Sequence, residues 1–347
     1  MVEKKDDPLY RHIPSSNEIQ AICNEFDMGD VFKIYGDLGG LFNVNLKIET
    51  NKGLYVIRIR SGIASKEHLD YQQSIMSILK SYGIPVLTLI TTKDGRNYSY
   101  YKDRFVQINP YVKGNKFSNN LIQIFSSGKM LCKIHKALAD VKAGPLPKWS
   151  NYPSNNILIE GLNKLKNMKD NLTKKEIRKA DNLYKKVMNK WREIKFNLPE
   201  TVIHGDWHPW NQLYSNDGTV KCIMDFDFIQ RAERIHDVAY ALWAILSNKD
   251  TYYLGEGFLQ GYNELTYEEK SILPIAIARA SLFFICTASF TSNPVIEFRE
   301  QILKQEPFIN WVLSKGKEEI KKMCKMSVSY YYNKSIESRT SYNRVFL

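Results

Sequence analysis

The apolar pattern of this 347-residue chain changes period near Gly114, and that change restricts the fold more than any other feature. Before it, short runs alternate apolar and polar residues with period two, which marks half-buried strands. They are Val31–Tyr35, Phe42–Glu49, Leu54–Arg60, Val86–Thr92, Tyr98–Tyr101 and Phe105–Tyr111. Turn residues part them at Gly36-Asp37-Leu38-Gly39-Gly40, Asn51-Lys52-Gly53 and Lys93-Asp94-Gly95. A short helix, Asn17–Phe26, precedes the strands, and a second, Lys66–Ser81 with Gly83 and Pro85 as its stop, interrupts them. After Gly114 the apolar residues fall mainly at helical spacing, in Leu121–Leu138, 162–195, Val238–Leu246, Tyr252–Tyr262, Glu268–Phe290 and Glu297–Lys322. One short strand pair, Thr201–Ile203 and Lys221–Met224, brackets a loop. A small mixed sheet with one helix, followed by a mainly helical half, is an α+β chain in two lobes. The expected division is a polar leader (1–16), a first lobe (17–113), a helical second lobe (114–325) and a basic Tyr/Ser-rich tail (326–347). A joint between lobes is where small ligands bind.

Composition closes several classes. Apolar residues are 44% and charged residues 25%, as in ordinary globular proteins. No unbroken run of 18 or more apolar residues occurs, so no membrane-crossing helix is expected. The opening Met1-Val2-Glu3-Lys4-Lys5 lacks the apolar stretch of a secretory signal, and a cytoplasmic location is expected. The five cysteines, Cys23, Cys132, Cys222, Cys286 and Cys324, are widely spaced and never form C-x-x-C. They read as reduced buried thiols, neither a disulfide scaffold nor a zinc ribbon. The net charge of +12 is concentrated in residues 163–195 and 314–347, and the rest of the chain is close to balanced. That argues for solvated helix faces and a basic tail. No nucleic-acid or membrane partner is expected, since a broad basic cleft is not indicated. The oligomeric state is left open.

The chemistry is concentrated in His204-Gly205-Asp206-Trp207-His208-Pro209-Trp210-Asn211, followed fourteen residues after Asn211 by Asp225-Phe226-Asp227. Phosphoryl transfer needs a carboxylate beside the attacking hydroxyl and oxygen ligands for magnesium. Asp206, Asn211 and Asp225 supply those three. His204 and His208 lack a third ligand at zinc spacing. In the first lobe, Gly36-Asp37-Leu38-Gly39-Gly40-Leu41-Phe42-Asn43 lies between two strands, where glycines permit positive φ and close approach to phosphates.

This H-G-D-x-x-x-x-N stretch with its D-F-D strand end resembles the aminoglycoside phosphotransferase/choline kinase superfamily, small-molecule kinases with a two-lobed protein-kinase-like fold. The similarity runs from about Gly36 to about Leu246, with weaker helical continuity to residue 315. The resemblance implies ATP and Mg2+ as cofactors, with Asp206 as catalytic base and Asn211 and Asp225 as magnesium ligands. It makes Asp237 a brace under the catalytic loop and gives His135 a packing role there. The nucleotide loop would contain Gly39, Gly40 and Asn43. The phosphate-holding cation, a lysine in most of the superfamily, falls on Arg58, with Arg60 on the same strand face as the runner-up. The helical partner of that cation, ordinarily Glu, falls on Gln72; Glu67 is the other candidate. Phe105–Gly114 resembles the hinge, with Pro110 accepting from adenine and Val112 donating to it.

The resemblance implies a small-molecule hydroxyl acceptor: an aminoglycoside, homoserine, choline, methylthioribose or another sugar-like metabolite. Thr92-Lys93-Asp94-Gly95 after Ile84-Pro85-Val86 is similar to the spore-coat and homoserine-kinase-like branches. A polycationic aminoglycoside would need acidic lining, for which Asp227, Glu233, Glu256 and Glu264 are the candidates. Trp207, Trp210, Tyr240, Trp243 and Phe284 are candidates for an apolar or cation-binding wall. The alternative is a silent kinase-like structural or nucleotide-binding protein of the spore-coat type.

Overall fold

The computed structural model describes residues 11–40, 42–248 and 251–324. Helix α1 (Ser16–Glu25) starts from a capping box in which Ser15 and Glu18 satisfy each other's backbone N–H groups. Its Ile19, Ile22 and Cys23 pack on a five-stranded sheet. The strands are β1 (Val31–Asp37), β2 (Val44–Thr50), β3 (Gly53–Ile59), β4 (Ser99–Tyr101) and β5 (Arg104–Pro110). They are antiparallel throughout, in the order β1-β2-β3-β5-β4. Leu46, Ile48, Ile57, Val106 and Ile108 form the core beneath α1.

Helix α2 (Lys66–Ser81) follows β3, but its Ile75 and Leu79 belong to the core of the helical half. It therefore ties the two lobes together. The expected strand over 86–92 is reduced to isolated bridges, Val86 with Ile223 and Ile90 with Ile108. The segment crosses from one sheet to another layer, so no single neighbour offers a continuous ladder.

The helical half comprises α3 (Leu121–Ala137), α4 (Asn155–Asn167), α5 (Lys174–Arg192), α6 (Ile235–Leu246), α7 (Tyr252–Gly261), α8 (Tyr267–Thr287), α9 (Pro294–Val312) and α10 (Lys315–Met323). The helical stretch 162–195 breaks where Thr173 and Glu176 form a new capping box. The stretch 297–322 breaks at Leu313 and Ser314. The Tyr267–Phe290 segment is long and apolar enough to cross a membrane by length and composition, but 89% of its most apolar window is buried within the fold. It is the central core helix, around which α4, α5, α6 and α9 pack. Cys23, Cys132, Cys222 and Cys286 are buried free thiols, and Cys324 is half-buried and free.

The strand pair expected around the catalytic loop is corrected. Residues 201–203 lie in β6 (Glu200–Ile203), which pairs with β9 (Gln230–Glu233). A separate hairpin forms between β7 (Gln212–Tyr214) and β8 (Val220–Ile223). Both unanticipated strands are three or four residues long, and β9 reads Gln-Arg-Ala-Glu, which carries no apolar alternation.

Candidate active site

The loop from β6 to β7 carries Asp206 and Asn211. It is fixed from below by Asp237 on α6, whose carboxylate accepts from His204 N at 2.8 Å, Gly205 N at 2.9 Å and His135 Nε2 at 3.0 Å. Asp237 is fully buried, and these donors hold its carboxyl below the usual range despite the opposing cost of burial. Gly205 has φ of +78°, and a Cβ there would lie 2.5 Å from Phe228 O. Only glycine fits that bend. Beyond the loop, Gln212 pairs with Ile223, and Met224 N donates to Asn211 O at 3.0 Å. The hairpin thus delivers Asn211 and Asp225 side by side.

The Asp206 carboxylate is held on both oxygens. Oδ2 accepts from Asn211 Nδ2 at 2.8 Å, and Oδ1 from Asn151 Nδ2 at 3.0 Å. His208 Nε2 stands 3.7 Å from Oδ2. Burial raises the Asp206 carboxyl, but His208 and the Tyr240 hydroxyl outweigh it and leave the group below the usual range. Asp206 is therefore ionised at neutral pH, as a proton acceptor must be.

Above the loop sit two arginines and a second carboxylate. Arg58 Nη2 contacts Asp225 Oδ1 at 2.6 Å and Asp227 Oδ2 at 3.0 Å, while Arg60 Nη1 lies 2.8 Å from Asp227 Oδ1. Burial pushes Asp227 up, but both arginines and Asn43 more than offset this and hold it far below the carboxylate range. The expected Arg58–Gln72 contact is replaced. Gln72 faces Arg60, with Oε1 at 3.4 Å from Nη2, and its Nε2 lies 3.2 Å from His68 Nδ1. The reason is position. Arg60 directly follows the last residue of β3 and leads toward α2, which begins at Lys66, whereas Arg58 lies within β3 and reaches both Asp225 and Asp227. Glu67 is exposed on the first turn of α2.

Gly39 and Gly40 have φ of +93° and +125°. Asp37 Oδ1 receives Gly39 N at 3.0 Å, and Asn45 Nδ2 donates to Gly39 O at 2.8 Å. A Cβ at Gly39 would meet nothing within 4 Å. Asn43 sits apart from this open turn: its Oδ1 accepts from Ser61 N at 3.0 Å and its Nδ2 donates to Asp227 at 2.7 Å. Pro110 closes β5 opposite Tyr55, and its carbonyl accepts from Asn109 Nδ2 at 2.9 Å. Val112 follows, half-buried.

Comparison with known proteins bears on this arrangement. The model of the "Phosphotransferase enzyme family" matches residues 37–272, most of the chain. The chain belongs to this family. It is a phosphotransferase whose acceptor is an alcohol group. Homoserine kinase of Zymomonas mobilis is 24% identical over 289 residues, covering 80% of this chain and 87% of the relative. Homoserine kinase of Neisseria meningitidis serogroup B is 28% identical, covering 76% and 84%. Among solved structures, spectinomycin phosphotransferase APH(9)-Ia with AMP superposes with a TM-score of 0.64 at 14% identity, covering 87% of this chain and 99% of that one. Amicoumacin kinase hAmiN, in complex with AMP-PNP, Ca2+ and Ami, gives 0.61 at 16%, covering 88% and 92%. The fold is thus the two-lobed kinase-like α+β fold.

In this phosphotransferase the oxygens of Asn211 and Asp225 suit magnesium. Asn211 spends its Nδ2 on Asp206 O and Oδ2, which leaves its Oδ1 for a cation. No cluster of three or more His, Cys, Asp or Glu able to hold a metal occurs among the described residues. Magnesium needs none, because it is bound through one or two protein oxygens together with phosphates and water. His204 Nε2 is within 3.0 Å of Met224 O, an interior contact. No sequence signal pointed to Asn151, which lies fifty-five residues before Asp206. Nor did any reveal Asp227 as the shared counter-ion of both arginines.

Proposed function

We propose that this phosphotransferase is an ATP- and Mg2+-dependent kinase that phosphorylates the hydroxyl of a small hydroxy amino acid such as homoserine. The observation that carries the reaction is the constellation of Asp206, Asn211 and Asp225 on one strand-held loop and hairpin. Asp206 takes the proton of the acceptor hydroxyl as it attacks the γ-phosphorus, and the leaving oxygen departs with ADP. Magnesium held by Asn211 and Asp225 would neutralise the phosphate charge. Arg58 would grip the phosphates, the open turn at Gly39 and Gly40 would let them approach the backbone closely, and Pro110 and Val112 would receive the adenine edge. In this reading residues 17–113 bind nucleotide and residues 114–325 carry the acceptor site. The tail, 326–347, lies outside the described residues, as do residues 1–10 of the polar leader.

The acceptor class rests on two supports. The relatives named homoserine kinase align over most of their length. Three of the four candidate acidic side chains for a polycationic aminoglycoside are engaged elsewhere. Asp227 serves Arg58 and Arg60, Glu233 accepts from Tyr152, and Glu264 pairs with Lys136 at 2.8 Å on the surface. The Trp243 and Phe284 rings stack on each other at 4.2 Å, as packing and not as an open cation cage. The test is a coupled ADP-release assay over L-homoserine, choline, methylthioribose and aminoglycosides. Turnover is expected with homoserine and little with aminoglycosides; the opposite preference would overturn the acceptor class.

A further inference from the structure

A catalytic carboxylate on a loop must be prevented from turning about its own bond, because only one of its oxygens can face the acceptor hydroxyl. Asn211 holds Oδ2 of Asp206 from within the loop. Oδ1 is held from a different part of the chain by Asn151, at 3.0 Å. The same Asn151 Nδ2 lies 3.3 Å from the Tyr240 hydroxyl, so both of its N–H bonds have a partner. Asn151 is itself held on either side. Ser150 Oγ accepts from Tyr152 N at 3.0 Å and from the Gln230 side chain, and the Tyr152 hydroxyl donates to Glu233. Gln230 and Glu233 are the two ends of β9, the strand paired with β6 at the root of the catalytic loop. On the other flank, Trp149 makes ring contacts with Phe283 and Phe290, and Ser154 caps α4. One small sheet thus carries the catalytic loop on one strand and anchors the segment bearing Asn151 on the other.

We propose that Asn151 is the positioning residue of the catalytic base. Its amide and that of Asn211 form a two-sided clamp that fixes the plane of the Asp206 carboxylate, with Tyr240 bracing the Asn151 side. The proposal rests on the reading of Asp206 as the base. Displacing a reacting group by about an ångström costs on the order of a hundredfold in rate, so loss of one jaw falls on turnover and not on nucleotide binding.

The pair Asn151→Ala, which removes the amide, and the isosteric Asn151→Asp separates a donor role from simple space filling. Alanine removes the donor. Aspartate keeps the shape but turns a carboxylate toward Asp206. The clamp predicts a kcat about tenfold or more below wild type for Asn151→Ala and lower again for Asn151→Asp, with KM for ATP within about twofold in both. A space-filling role predicts the reverse order, with Asn151→Asp close to wild type; that order, or a loss carried mainly by KM for ATP, would overturn the proposal. A crystal structure of Asn151→Ala supplies a readout independent of the acceptor. The Asp206 carboxylate should turn away from its wild-type plane or split between conformers; a single unchanged conformer would also overturn the clamp. If wild type turns over no tested acceptor, the acceptor reading fails, and the crystal comparison still decides the clamp.

Discussion

At the residue scale, the two arginines of β3 and its end divide their work by what they touch. Arg58 reaches both Asp225 and Asp227, whereas Arg60 reaches Asp227 and Gln72. Arg58 therefore stands beside Asp225, the proposed magnesium ligand, and Arg60 behind it. Losing a charge-assisted hydrogen bond to phosphate costs about 1.5–3 kcal/mol, or about ten- to a hundredfold in affinity or rate. Arg58→Ala should lower kcat/KM for Mg·ATP by that amount, while Arg60→Ala should mainly lower thermal stability, because a buried charge on Asp227 loses one of two partners. Steady-state kinetics and melting curves of the two variants check this; equal kinetic losses would put Arg60 on the nucleotide as well. The residue types of this cluster could be read from the sequence, but their pairing could not. Whether Gln72 meets Arg58 or Arg60 depends on where α2 begins relative to the end of β3, and strand periodicity places both arginines on one face.

At the element scale, three glycines set how closely helices approach. A Cβ at Gly128 on α3 would lie 2.1 Å from Phe258 O on α7, and one at Gly261 on α7 would lie 2.1 Å from Phe125 O on α3. Gly161 on α4 has the same relation to Cys286 O on α8, at 2.3 Å. Replacing a helical glycine by alanine ordinarily stabilises by about 0.5–1 kcal/mol. Here the contact is with backbone, which cannot rotate away, and overpacking costs about 1–3 kcal/mol. Gly261→Ala should therefore destabilise the protein in urea denaturation, and a gain in stability would show that α3 and α7 part without cost. Helix existence was legible from the 3.6-residue pattern, and α3, α6, α7 and α8 lie close to their expected ranges. Helix partners were not, because a helical glycine in a sequence does not name the backbone it lies against. The short polar strands β7 and β9 escaped for a related reason: they are fixed by the partner strand and not by their own alternation.

At the scale of the whole molecule, the change of period at Gly114 does mark the passage from sheet to helices. The joint is nevertheless tied across by several elements. α2 buries its apolar face in the helical core, Ile223 N donates to Pro85 O at 2.8 Å, and Asn115 exchanges backbone bonds with Tyr214. The loop carrying Asp206 and Asn211 was legible because its polar residues lie in one contiguous window of eight, with the D-F-D segment shortly after it. Its support was not, because Asn151, Asp237 and His135 come from three other elements and meet only in the fold. In the proposed reaction one carboxylate, Asp206, is braced by the rest of the second lobe, and the first lobe would present the nucleotide.

That claim is tested most directly by following product with phosphorus NMR, using wild type and Asp206→Asn, each given ATP, magnesium and L-homoserine. ATP affinity is measured on the same samples by calorimetry. Wild type should convert ATP to ADP with one equivalent of a new phosphate monoester, while Asp206→Asn binds ATP about as tightly and forms no ester. An Asp206→Asn variant that still forms the ester at a substantial fraction of the wild-type rate would contradict the account.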